Sequence, residues 1–70
     1  MIEGTGTIKS IRNGGSEGVV TEAGSLADLD FINPKIPGIS VGEKFDFLKI
    51  IQSTPQGDKV IIILKTKLPA

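Results

Sequence analysis

Residues 6–21 read Gly-Thr-Ile-Lys-Ser-Ile-Arg-Asn-Gly-Gly-Ser-Glu-Gly-Val-Val-Thr, and this stretch decides the fold. Two short runs flank Asn13-Gly14-Gly15, where glycine can take the positive φ that reverses a hairpin. The spacing predicts a first strand over residues 5–12 and a second over 17–22. A phosphate-cradling reading of the same glycines fails, because no Gly-Lys-Ser/Thr follows and no helix opens there.

Beyond this hairpin, turn residues recur along the whole chain at Gly24, Pro34, Pro37-Gly38, Gly42, Pro55 and Gly57. Short β-branched and apolar runs lie between them, as in small barrels and sandwiches. A third strand is expected over residues 28–32, burying Leu29 and Phe31 and turning Asp30 and Ile32 to the other face. A fourth over 43–51 alternates Phe45 and Phe47 inward with Asp46 outward. That alternation fails at Lys49-Ile50-Ile51, where a bulge is expected. A turn at 54–58 leads into a fifth strand over 60–65. Pro34 and Pro37 keep residues 34–40 irregular. No run carries the i, i+3, i+4, i+7 pattern of a helix. The 70 residues form one domain, 1–70, with a small core. The expected architecture is all-β: a five-stranded antiparallel Greek-key barrel, the OB-fold. An SH3-like barrel would have the same periodicity.

Composition excludes most catalytic chemistry. There is no Cys and no His, hence no disulfide, thiolate, triad or imidazole ligand. No catalytic residue, cofactor or metal site is assigned, and the chain is read as not an enzyme. Asp28 and Asp30 share one strand face, but a hard cation needs further oxygen ligands. Eight basic residues balance eight acidic ones, whereas phosphate-driven binders are normally basic. No basic, apolar leader follows Met1, and the longest apolar run, residues 60–64, is too short to span a bilayer. A soluble, cytoplasmic protein without a membrane partner is expected.

The residues also resemble the cold-shock domain family. Its first hairpin reads approximately Gly-Thr-Val-Lys-Trp-Phe-Asn-x-x-Lys-Gly-Phe-Gly-Phe-Ile-Thr. Against this pattern Gly6, Thr7, Lys9, Gly18 and Thr21 match, and Ile8 and Val20 are apolar in kind. Residues 39–47, Ile-Ser-Val-Gly-Glu-Lys-Phe-Asp-Phe, resemble the family's entry into its fourth strand, and Asp28, Leu29 and Phe31 fit its third. The resemblance covers nearly the whole chain and implies an OB-fold that binds single-stranded RNA or DNA by stacking bases on aromatic rings. Those rings are missing. Ser10 and Ile11 stand where the pattern has Trp and Phe, while Gly15, Ser16, Glu17 and Val19 replace the first ribonucleoprotein motif. Asp30, Ile32 and Asn33 replace the second. Each lost platform removes about 1–3 kcal/mol, so three remove roughly 3–9 kcal/mol.

Two functions follow as expectations. The first is weak single-stranded RNA or DNA binding, with Lys9, Arg12, Lys44, Lys59 and Lys65 as candidate phosphate contacts. The second is protein contact or homodimerisation on the same scaffold, with Ile11, Val19, Ile32 and Ile62 as the candidate patch. The run Val60-Ile-Ile-Ile-Leu64 is apolar on both faces, so either the loop carrying Ile36 and Ile39 covers its outer side or a partner does.

Overall fold

The computed structural model describes residues 2–69. Its elements are β1 (Ile2–Arg12), a single 3₁₀ turn (Asn13–Gly15), β2 (Glu17–Glu22), β3 (Asp28–Ile32), β4 (Lys44–Thr54) and β5 (Gly57–Lys67). The strands close into a barrel in the order β1-β2-β3-β5-β4, an OB-like arrangement. Four ladders are antiparallel. The closing one is parallel and short: Phe31 pairs with Ile62 and Ile32 with Ile63.

The first turn follows its sequence. Asn13, Gly14 and Gly15 all have positive φ, at 52°, 68° and 98°, a region that Asn and Gly enter most readily. The bulges lie elsewhere than expected. Across residues 49–51, β4 pairs with β5 without interruption, Lys49 with Ile62, Ile50 with Ile61 and Ile51 with Val60. The extra residues are Lys9, between Ile8 and Ser10 opposite β2, and Lys65, opposite the Asp46–Phe47 step. Residues 49–51 need no bulge because the hairpin leaves the barrel there and no longer has one face buried and one wet. A tight turn at Pro55-Gln56 joins these two strands.

The core is Ile8, Val20, Phe31, Phe45, Phe47, Ile62 and Leu64. All three phenylalanines are within 1% of complete burial. They fit because β1 and β2 present glycine opposite them. A Cβ on Gly4 would lie 2.7 Å from the Phe47 ring, and one on Gly18 would lie 2.9 Å from Phe31 and 2.2 Å from the Ser10 carbonyl oxygen. Ile36 and Ile39, from the irregular 33–43 segment, pack on the core beside Ile11 and Leu29. Asn33 holds that segment in place. Its side-chain amide donates to the Gly15 and Ile36 carbonyls at 2.9 and 2.7 Å, and its Oδ1 accepts the Ile36 N–H at 2.9 Å.

Phe47→Ala is expected to cost ~3–5 kcal/mol in chemical denaturation, most of the stability of so small a domain. A loss below ~1 kcal/mol would contradict its burial. Gly18→Ala tests the glycine side of the same contact. It should destabilise the barrel far more than Gly14→Ala, whose new methyl meets nothing within 4 Å and costs only the strain of a left-handed alanine, about 1 kcal/mol.

Candidate interaction surface

The outer face of β1–β3 follows from ladder register, since directly opposed residues share a face. Ser10 lies opposite Val19 and Arg12 opposite Glu17. On the next ladder Glu17 faces Ile32, Val19 faces Asp30 and Thr21 faces Asp28. Lys9, the bulged residue, is exposed beside this face. Its two cations are both held by its own acids. Lys9 Nζ lies 2.5 Å from Asp28, whose other carboxylate oxygen accepts the Thr21 hydroxyl at 2.9 Å. Arg12 reaches Asp30 at 3.5 Å and Glu17 at 4.0 Å. Three carboxylates therefore surround two cations. Exposed pairs of this kind are individually weak, about 0.2–1 kcal/mol. Together they leave no net positive charge on the face.

Of the remaining expected phosphate contacts, Lys65 pairs with Glu3 at 3.3 Å. Lys44 and Lys59 have no acidic partner among the described residues. They do not sit together. Lys44 opens β4, whereas Lys59 pairs with Gln52 far along the same strand, roughly 26 Å away at the rise of an extended chain. The five lysine and arginine positions thus form no single basic track.

The aliphatic candidates divide. Ile32 is outward and 44% exposed, and Val19 is outward and half-buried. Ile11 is a correction. It pairs with the buried Gly18 and packs on the core, because the Lys9 bulge shifts the alternation of β1 by one residue. Ile62 is a second correction. It is fully buried, since its ladder partner Phe31 faces inward. Its neighbours Ile61 and Ile63 face out instead.

That change of face redraws the apolar outer side expected of the last strand, which runs through Ile61 and Ile63 and extends onto Leu48 and Ile50 of β4. Leu48 pairs with Ile63, and Ile63 with Ile32; Ile50 pairs with Ile61. These five residues form two adjoining aliphatic rows on the outer face of β3, β4 and β5. All of them retain some solvent exposure. The Ile36–Ile39 segment does not serve as their cover, because its isoleucines pack on the core and Ile39 lies against Gly15. The signal was present as the period-two pairs Leu48/Ile50 and Ile61/Ile63, opposite in phase to Phe45/Phe47 and Ile62/Leu64.

A groove of about 430 Å³ runs beside this surface, bordered by Arg12, Asp30, Ile32, Lys59, Val60 and Ile61. No family model and no curated protein sequence matches the chain.

Several ion pairs tie strands together. Glu22 meets Lys49 at 2.6 Å, joining β2 to β4 across the glycine-bearing part of β1. The Lys49 ammonium first, then the Ser25 hydroxyl, holds the Glu22 carboxyl below its ordinary value of 4.5. Lys9 and Thr21 do the same for Asp28, and Lys67 and the Ser40 N–H for Glu43. A carboxyl with a lower pKa in the folded state binds protons more readily when unfolded. Its contribution is complete above the unfolded value and disappears as pH falls through the folded one. The urea midpoint should therefore be level down to about pH 5 and decline below about pH 4. Glu22→Gln should lower the plateau and flatten that decline. A midpoint that rises on acidification would overturn the assignment.

Proposed function

We propose that this chain is an OB-like docking module that engages another protein through the aliphatic outer face of β3, β4 and β5. One observation carries the reading: Leu48, Ile50, Ile61, Ile63 and Ile32 are brought into register on the solvent side. Ile32 is exposed and the other four are partly exposed, and a contiguous aliphatic surface left open to solvent marks a contact site. The charge pattern points the same way. On a cold-shock-like scaffold, the position of the stacking face is occupied by Lys9 and Arg12, each clamped by acids, with Val19 between. An arriving phosphate would have to displace Asp28 or Asp30 and remain beside it.

A second reading, weak binding of single-stranded RNA or DNA, draws on the resemblance to the cold-shock family and on one structural feature. Arg12 and the acid-free Lys59 border the same groove beside Ile32 and Ile61, so a backbone could lie between two cations with aliphatic contact beneath. Without aromatic platforms its affinity would be low and strongly salt-dependent.

One pair of measurements separates the two. In the docking reading, crosslinking in the native host gives a discrete protein adduct that Ile32→Glu and Ile61→Glu abolish while Lys9→Ala with Arg12→Ala leaves it intact. In the same reading, oligo-dT and oligo-U at millimolar concentration and low salt leave the amides of Lys9, Arg12, Val19 and Lys59 unmoved. Salt-reversible shifts at those amides, with no adduct lost in the isoleucine variants, would replace docking with nucleic-acid binding.

A further inference from the structure

The β4–β5 hairpin outruns the barrel. Among the described residues β1 accompanies β4 only as far as Ile2 opposite Lys49, and β3 touches β5 only at Ile62 and Ile63. Beyond these points, residues 50–54 and 57–61 pair with each other alone. The result is a two-stranded arm with two free edges.

Which backbone groups face each edge can be read from the base of β4. The Glu43 carbonyl accepts the Ile8 N–H at 2.8 Å on the β1 side, and the Lys44 carbonyl accepts the Leu68 N–H at 2.9 Å on the β5 side. Successive residues of an antiparallel strand alternate between its neighbours, and β4 has no inserted residue of its own. Ile51 and Ser53 therefore aim N–H and C=O at the free edge of the arm. Proteins normally blunt such edges with lysine, proline or a bulge. Residues 50–54, Ile-Ile-Gln-Ser-Thr, contain none of these and no charge.

We infer that this edge pairs with the same edge of a second copy of the chain. An antiparallel, two-fold pairing centred on Gln52 uses the whole arm. It sets Ile51 against Ser53 of the second copy, and the reverse, as hydrogen-bonded pairs that satisfy every group identified above. Ile50 then lies opposite Thr54, and Gln52 opposite its own copy. No like charges meet, and a chain with no net charge adds no general repulsion. Register selects this centre. A pairing centred on Ile51 would run into Lys49, which already has β1 beside it. Charge selects this edge over the other. On β5 the equivalent two-fold arrangement centres on Lys59 and opposes two ammonium groups, which is unfavourable for a cross-strand pair. The product is a four-stranded sheet, β5-β4-β4-β5, across two barrels. It leaves the Ile32–Ile63 face open and does not depend on what docks there.

Sedimentation equilibrium from 10 µM to 1 mM, with amide hydrogen exchange, tests the inference. The chain should show a monomer–dimer equilibrium, with the Ile51 and Ser53 amides slowing as concentration rises. Ser53→Pro removes an N–H that has no partner among the described residues of the monomer, so the barrel's amide spectrum should persist while dimerisation weakens about tenfold or more. Gln52→Lys and Gln52→Glu should each weaken it several-fold, and an equimolar mixture of the two should recover it. A chain that stays monomeric at 1 mM overturns the inference. So does a dimer that is indifferent to Ser53→Pro but lost with Ile32→Glu, which would place the second copy on the aliphatic face of the proposed docking reading.

Discussion

The structure depends on enclosing three phenyl rings in a barrel made from a very short chain. Phe31, Phe45 and Phe47 fill the interior, and glycines on β1 and β2 lie where any Cβ would strike Phe31 or Phe47. Because the rings occupy the space that small side chains vacate, ring and glycine positions specify one another. The chain contains three Phe and neither Trp nor Tyr. Enclosing them all leaves the outside without an aromatic ring. The hydrophobic requirement of folding thus governs the chemistry available for recognition.

What remains on the outside is of two kinds, kept apart by the barrel. The β1–β3 face is polar and ion-paired, its β1 cations matched by carboxylates on β2 and β3. The β3–β5 face is aliphatic. Ile32 lies on the seam between them, opposite Glu17 on one side and Ile63 on the other. The charged network adds little stability pair by pair. Its main consequence is to cancel the field that would draw a polyanion to this side of the molecule.

The β4–β5 arm arises from a mismatch of lengths. Two strands of eleven residues are joined to a barrel whose third strand has five, so the long hairpin projects past its neighbours. The interior row of β4 and β5 continues onto the arm at Ile51 and Val60, which are 52% and 36% exposed. A strand pair built like a barrel wall but lacking a barrel around it presents free backbone groups and apolar side chains together.

Local chemistry made much of this legible. Asn-Gly-Gly could hardly be anything but a reversal, since Asn and Gly enter left-handed backbone most readily. Phe-Asp-Phe could hardly avoid alternating, since a strand turns successive side chains to opposite faces. The strand count, the first hairpin, the inward phenylalanines and the outward Ile32 all rest on such near-neighbour rules. Burial of Ile62 and Ile11 was beyond them. Ile62 takes its direction from Phe31, thirty-one positions away along the chain, and Ile11 from a bulge whose place is set by pairing with β2. The capture of Lys9 and Arg12 by acids was hidden for the same reason: Asp28 and Asp30 reach them only once β3 lies beside β2. Side-chain alternation belongs to one strand and can be read from it. Register belongs to two strands, and only the assembled barrel decides which residues meet.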